Sequence, residues 1–215
     1  MQIDRTGKPK RTVRRTFNAA NAAEAVGAIR PGMEVYGLSK GQFSLIELVE
    51  HVLAATGPAD VTISTWTAAG ADLAHTHGFL ANGSVRSCRW LVDFSFASRQ
   101  PAYCADLVAR FGADCIRQTA NHAKFVLIRN EAWNVTIRTS MNLNRNARLE
   151  SYEISDDSEL ADWLQEIVTA AFDGGAGEIT DRPSDAQSSL AVLAGRVEIP
   201  DRIQHTTTHR SISFD

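Results

Sequence analysis

Five polar residues of the sequence have types and spacing that suit chemistry on an anionic substrate. His122 and Lys124 are separated by one alanine, Ser140 and Asn142 follow a second apolar run, and Glu150 comes shortly afterwards. A neutral imidazole can attack phosphorus and form a covalent phosphohistidine. Lys124 supplies a positive charge for the phosphate oxygens, and Ser140 and Asn142 supply neutral donors. The pattern indicates phosphodiester chemistry in which fixed protein charges do the electrostatic work, so we expect no metal and no cofactor.

The elements around these residues must bring them together. Residues 122–128 and 133–140 are predicted to be two strands joined by a turn at 129–131. On the first strand, His122 and Lys124 would share one face, because alternate residues point to the same side. Pairing of the strands would return Ser140 and Asn142 to the vicinity of His122. Glu150, on a third predicted strand at 149–154, can bond the other ring nitrogen of a histidine and fix its tautomer.

Strand and helix patterns alternate through the preceding half of the chain. Apolar periodicity and the usual start and stop residues predict helices at 19–29, 42–56, 71–80, 102–111 and 156–172. Strands are predicted at 33–38, 59–66, 85–96 and 114–118. Such alternation favours an α/β sandwich with a mixed, largely parallel central sheet flanked by helices.

The segment from His122 to Glu150 resembles the phospholipase D superfamily of phosphodiesterases. The family motif reads His-x-Lys-x4-Asp-x6-Gly-Ser-x-Asn, with a glutamate downstream. The stretch from Ser140 to Glu150 is similar to single-motif members associated with phages and prophages. The sequence departs from the motif at Arg129, where aspartate is expected, and at Thr139, where glycine is expected; the gap between the motif halves is also longer.

The resemblance implies a phospholipase D-like fold and a role for each matched residue. His122 would be the nucleophile or the general acid, Lys124 and Asn142 would hold the phosphate, and Glu150 would orient a histidine. Because the mechanism needs two histidines and the chain has one motif, we expect a homodimer or higher oligomer with two His122 side chains facing each other. The implied activity is that of a nuclease, with DNA as the expected partner.

Two other functions remain open at this point. A degenerate member of the same fold would serve as a structural or DNA-handling protein of phage or prophage origin. A lipid phosphodiesterase is disfavoured, because the sequence has no interfacial amphipathic segment. Arg145 and Arg148 either bind substrate phosphates or are solvated loop charges.

Composition sets the domain boundaries and the expected compartment. The 215 residues are 44% hydrophobic and 22% charged, with a formal net charge of -3, which suits one globular domain. We expect a basic, flexible arm at 1–16, the phospholipase D-like domain at 17–175, and a polar extension at 176–215 that a partner orders. The arm either touches phosphates or an acidic partner, or is a solvated terminus. No secretory signal or membrane span is predicted, so the expected location is the cytoplasm, or the virion if a phage encodes the protein.

The remaining candidates for chemistry receive structural interpretations. Cys88, Cys104 and Cys115 are interpreted as buried thiols in a reducing compartment. His75 and His77 form no standard zinc pattern with them. Trp66 follows a strand and could stack a base, but we interpret it as a core residue.

Overall fold

The computed structural model describes residues 12–15, 18–144 and 147–174. Eight strands are formed there: β1 (Thr12–Arg15), β2 (Glu34–Ser39), β3 (Ala59–Thr65), β4 (Val85–Asp93), β5 (Ile116–Thr119), β6 (Phe125–Arg129), β7 (Asn134–Thr139) and β8 (Glu150–Asp156). The helices are α1 (Ala22–Val26), α2 (Leu45–Thr56), α3 (Gly70–Ala81), α4 (Phe96–Arg99), α5 (Pro101–Phe111) and α6 (Ser158–Gly174), with a 3-10 turn at Ala113–Cys115. The predicted α/β class is confirmed.

The eight strands form a single mixed sheet in the order β1-β2-β8-β7-β6-β3-β4-β5. Neighbouring pairs are parallel at β1–β2, β3–β4 and β4–β5, and antiparallel elsewhere. Within the described residues, therefore, only β6 and β8 run against the common direction. The sheet is largely parallel in strand direction, yet its centre, where β6 and β7 lie, is an antiparallel hairpin.

Each face of the sheet is covered by helices. On β6, Val126 and Ile128 belong to the larger apolar core, while Phe125 and Leu127 belong to a second core formed with α6. This alternation is the strand period of two. Buried residues of α1, α2, α3 and α5 belong to the larger core. The domain thus has three layers, with α6 on one face and the other long helices on the opposite face.

Local signals explain where α2 begins and ends. Ser44 caps it: the Ser44 hydroxyl accepts from the Glu47 amide at 3.4 Å, and the Glu47 carboxylate accepts from the Ser44 amide at 2.6 Å. This reciprocal arrangement satisfies two amides that have no partner within the helix. Gly57, with φ of 77°, ends the helix in a conformation that favours glycine. The predicted helix at 42–56 is therefore confirmed with a later start.

Several predicted boundaries were wrong. The strand expected at 122–128 begins at Phe125, and the strand expected at 85–96 stops at Asp93, after which α4 forms. Part of the predicted flexible arm, Thr12–Arg15, is an edge strand parallel to β2. The rest of that arm and the predicted extension at 176–215 lie outside the described residues. None of the helices in the described ranges combines the length and apolar character needed to cross a membrane.

The cysteines agree only partly with the prediction. Cys88 and Cys104 are buried thiols, and burial raises the pKa of both. Cys115, at the end of the 3-10 turn, is half-buried, because it precedes the edge strand β5.

Candidate active site

The residues before β6 form a loop whose backbone is held by the side chain of Asn121. The Asn121 carboxamide donates to the Leu91 carbonyl at 3.2 Å and to Ser64 Oγ at 2.9 Å, and its oxygen accepts from the Ala123 amide at 2.9 Å. Ser64 Oγ in turn donates to the Ala123 carbonyl at 2.9 Å. These side-chain bonds replace strand pairing at residues 121–123, which is why the strand begins later than predicted.

The buried carboxylate of Asp93, at the end of β4, also holds this loop. Its carboxylate accepts from the Asn121 amide at 3.1 Å, from the Ser95 amide at 2.9 Å, and from the Ser95 hydroxyl. The sequence reasoning did not identify Asn121, Asp93 or Ser64. Each of the three is a polar residue at or near the end of a strand, and α/β proteins commonly place sites at strand ends. This position was the sequence feature that could have identified them.

His122 and Lys124 meet at the surface above this network. Lys124 Nζ lies 3.4 Å from His122 Nδ1 and donates to the His122 carbonyl at 3.0 Å. His122 is exposed and Lys124 is half-buried. The predicted neighbourhood of the two side chains is present, although a loop rather than a strand produces it.

The second part of the predicted site reaches Lys124 through the β6–β7 pairing. Phe125 is opposite Arg138, and the Thr139 amide donates to the Lys124 carbonyl at 3.1 Å. The next residue, Ser140, donates its hydroxyl hydrogen to the Glu150 carboxylate. The Ser140 amide also bonds the Ser151 carbonyl at 3.1 Å. The hairpin pairing predicted from the sequence therefore brings Ser140 and Glu150 to the His122 loop.

Glu150 acts electrostatically on Lys124. Partial burial lowers the pKa of Lys124 below its usual value of 10.5, and the Glu150 carboxylate opposes this by raising it. Within the part of the chain that the structure describes, the Glu150 side chain bonds Ser140 and not His122. The expected bond from Glu150 to a histidine is thus not made inside one chain.

Asn142 is half-buried on the loop after β7. Its side-chain oxygen is buried without a hydrogen-bond partner in the described structure. The loop is tied down through Leu143, whose amide donates to the Thr67 carbonyl at 3.2 Å and whose carbonyl accepts from the Ala69 amide at 2.7 Å. These bonds tie the loop of Asn142 to the segment that follows Trp66, and the role of Asn142 remains a prediction.

Arg145 and Arg148 were the two candidates for binding substrate phosphates. Arg148 is exposed in the loop before β8. Arg145 lies outside the described residues. Their roles remain predictions.

The two departures from the family motif have structural explanations. Arg129 lies at the far end of β6, where it donates to Asn134 Oδ1 at 2.9 Å and to Asp162 of α6 at 2.6 Å. Thr139 directs its hydroxyl to the Ser151 carbonyl at 2.7 Å and accepts from the Met141 amide at 3.0 Å. Both side chains stabilise the frame, so neither substitution removes a group from the His122–Lys124 surface.

Trp66 was wrongly interpreted as a core residue. It is half-buried, and its ring centre lies 5.6 Å from that of His122. The guanidinium of Arg99 lies over the Trp66 ring, 3.7 Å from its centre. Sequence reasoning did not consider Arg99. The reason is that β3 ends at Thr65, so the Trp66 side chain lies beyond the end of this interior strand.

A mainly apolar cavity of about 440 Å³ lies beside Lys124, between the sheet and α6. Leu91 and Phe125 of the sheet, and Trp163 and Leu164 of α6, contribute apolar walls. Lys124 and Arg138 add the only basic groups among its lining residues within the described structure. The depression therefore gives Lys124 a partly dehydrated setting, in agreement with its lowered pKa.

No cluster of three or more histidine, cysteine or acidic residues suited to a metal ion occurs in the described ranges. His75 Nε2 lies 3.5 Å from a carboxylate oxygen of Glu50, and the His75 ring packs 5.0 Å from that of Phe79. The His77 ring packs 5.8 Å from that of Phe111. These contacts account for both histidines structurally.

Comparison with known proteins gives limited likeness. No family model matches the sequence, and no curated protein matches it either. The structure is similar to polyphosphate kinase from Porphyromonas gingivalis, with a TM-score of 0.48 and 10% identity, over 64% of this chain and 26% of the kinase chain. It is also similar to NucT from Helicobacter pylori, with a TM-score of 0.48 and 14% identity, over 67% of this chain and 99% of NucT. Such likeness carries no information about activity, which must be inferred from the chain's own residues.

Proposed function

We propose that the protein is a phosphodiesterase acting on nucleic acid, with DNA as the expected substrate, and that it works through a phosphohistidine at His122. The observation that carries the proposal is the ammonium of Lys124 beside the His122 ring, with Ser140 and Glu150 at the adjoining strand ends. An exposed imidazole next to a cation that is not ion-paired in the described structure suits attack on a phosphodiester, whose negative charge grows during attack.

Two copies of the site would divide the work through the protonation state of His122. In the copy that acts as general acid, the ring carries a hydrogen on both nitrogens and gives the Nε2 proton to the leaving oxygen, while Lys124 donates to the His122 carbonyl and not to Nδ1. In the attacking copy, Lys124 would turn to a phosphate oxygen, which frees Nδ1 to hold the hydrogen and leaves the Nε2 lone pair for phosphorus.

The reaction then balances over two steps. Nε2 of His122 forms a bond to phosphorus as the bond to the leaving oxygen breaks, and the partner subunit's His122 gives that oxygen its proton. In the second step, the partner subunit's His122 takes a proton from water, the water oxygen bonds phosphorus, and the bond from phosphorus to nitrogen breaks. Since one chain has a single motif, this scheme requires a homodimer.

A plasmid-nicking assay in excess EDTA tests the proposal. Supercoiled DNA should be nicked by the wild type and by His75→Ala, which removes an imidazole that packs on α3, and not by His122→Ala. Because His122 is exposed, His122→Ala should keep the wild-type Tm. Acid quenching during turnover should trap phosphate on His122, identified by mass spectrometry.

Three results would contradict parts of the proposal. Equal nicking by wild type and His122→Ala would reject His122 as the nucleophile. Activity of a species that light scattering shows to be strictly monomeric would reject the shared site. Tight DNA binding without turnover or a trapped intermediate would favour the non-catalytic, DNA-handling alternative.

A further inference from the structure

Arg99 is held in one orientation at the end of α4. Its Nε donates to Ser95 Oγ at 2.8 Å, and one terminal nitrogen donates to the Trp66 carbonyl at 3.0 Å. Its guanidinium also lies over the Trp66 ring, 3.7 Å from the ring centre. Contacts with a hydroxyl, a carbonyl and an aromatic face fix the side chain without neutralising its charge.

Most arginines that the structure fixes are fixed by a carboxylate instead. Arg86 pairs with Glu131 and Asp60, Arg110 with Asp106, Arg129 with Asp162, and Arg138 with Glu153. In the described ranges, Arg99 forms no such ion pair. It is exposed, and its second terminal nitrogen has no partner there, so hydrogen-bond donors of a fixed cation face solvent.

This cation stands next to the His122 site. Trp66 carries Arg99 on its ring, and the centre of the same ring lies 5.6 Å from that of His122. Lys124 occupies the Nδ1 side of His122. The imidazole therefore has one cation in direct contact and a second cation on the aromatic ring that it packs near.

We propose that Arg99 binds the phosphate next to the one that is cleaved, so that the substrate is a polynucleotide strand and not an isolated phosphodiester. This inference rests on the proposed function. A single phosphate at His122 would be bound by Lys124. A second cation, Arg99 on the Trp66 ring, suits a substrate that has repeated phosphates. A planar guanidinium can bind a phosphate through two parallel hydrogen bonds, and its fixed orientation reduces the entropy lost on binding.

The test compares a substrate with one phosphodiester, bis(4-nitrophenyl) phosphate, and a single-stranded DNA 12-mer. Arg99→Ala should lower kcat/KM on the 12-mer about tenfold, as expected for loss of a charge-assisted contact, and change it less than about twofold on the small diester. Arg99→Lys should recover part of the loss, because it keeps the charge but not the planar donors. Arg86→Ala removes the same charge at the opposite end of β4 and should leave both rates unchanged.

Binding gives a readout that does not depend on turnover. In the His122→Ala background, fluorescence anisotropy of the labelled 12-mer should show that Arg99→Ala reduces the slope of log K against log salt by about 0.7, the value for one phosphate contact on a single strand. An unchanged slope, or an equal loss of rate on both substrates, would overturn the inference. If His122→Ala leaves turnover of both substrates intact, the proposed function fails, while the salt slope still decides whether Arg99 contacts phosphate.

Discussion

The two ends of the β6–β7 hairpin are built from similar residue types and differ in how their charges are matched. At the turn end, Arg129 is paired with Asp162. The Asn130 oxygen accepts from the amides of Ala132 and Trp133 at 3.0 Å, and its amide group donates to the Thr56 carbonyl at 3.0 Å. Polar groups at this end are satisfied by partners in the protein, and they fix the turn to the neighbouring helices.

At the other end of the hairpin, the loop is fixed and Lys124 forms no ion pair in the described structure, although the Glu150 carboxylate acts on it electrostatically. Asn121 secures the backbone, while Lys124 bonds only the carbonyl and ring of His122 among the contacts of the described structure. The comparison teaches that a sequence motif alone does not separate the two roles. Polar residues that bond one another stabilise the fold. A cation without an ion pair, on a loop fixed by hydrogen bonds, is available to bind an anion.

The largest expected difference between the two ends is in turnover. Lys124→Met should lower kcat on DNA by about 10²- to 10³-fold, because it removes the charge that stabilises the phosphate in the transition state. The matched change, Arg129→Met, removes a charge from the turn end and should leave kcat unchanged.

Urea unfolding of the Arg129→Met protein completes the control. Its free energy of unfolding should fall by less than about 1 kcal/mol, because the Arg129–Asp162 pair is partly solvent-exposed. Equal losses of kcat in Lys124→Met and Arg129→Met would show that the contrast between the ends has no functional meaning.

Asn121→Ala should affect both stability and activity. The change leaves the buried Leu91 carbonyl and the Ala123 amide without their partner, so the free energy of unfolding should fall by about 1–3 kcal/mol. The released loop should also lower kcat about tenfold, since small misplacements of catalytic groups reduce rate strongly. Urea unfolding and DNA turnover measured on the same preparation check both effects.

Asn130→Ala is the control for the Asn121 variant, because the same residue type is removed at the turn end. A comparable loss of stability is expected, with no change in kcat at a temperature where both variants are folded. Loss of kcat in both variants would mean that general loosening, and not position, governs turnover.

The smallest effect expected is a shift of the pH profile. Activity that needs a charged Lys124 declines as the pH rises through the pKa of that lysine, which burial holds below 10.5. Because the Glu150 carboxylate raises this pKa, Glu150→Gln should move the alkaline decline to lower pH. Glu131→Gln, at the turn end, should leave the profile in place. An alkaline decline at the same pH in wild type and Glu150→Gln would contradict the coupling.

Local pattern predicted the elements better than it predicted their ends. The apolar runs of β3, β4 and β6 and the amphipathic α2 were found because each has the period of its own structure. The start of β6 was missed, since Asn121 takes its partners from β3 and β4, far away in sequence. The edge strand β1 was missed because its sequence is basic and its Val13 is exposed, so the segment has no alternating apolar pattern that would predict a strand.

The proximity of candidate residues was predicted where one segment supplies them, and missed where distant segments meet. His122, Lys124, Ser140 and Glu150 lie on one hairpin and its neighbouring strand, so simple pairing rules bring them together. Trp66 follows β3, which pairs with β6, and so its ring packs near that of His122. Arg99 lies on α4, after β4 on the other side of β3, and contacts Trp66. The ion pair between Arg129 and Asp162 was also not predicted from the sequence, because it joins β6 to α6.

The loop at 120–124 has a consequence for the folding of the domain. It leaves β5 at the edge of the sheet and enters β6 in the interior, passing the ends of β4 and β3, whose Leu91, Asp93 and Ser64 bond Asn121. The β6–β7 hairpin can form from neighbouring residues alone, but the arrangement around His122 needs pairings between segments widely separated along the chain. A fragment that carries only residues 121–150 would therefore lack the bonds from Leu91, Asp93 and Ser64, so the His122 loop reaches this arrangement only after β3, β4 and β6 have paired.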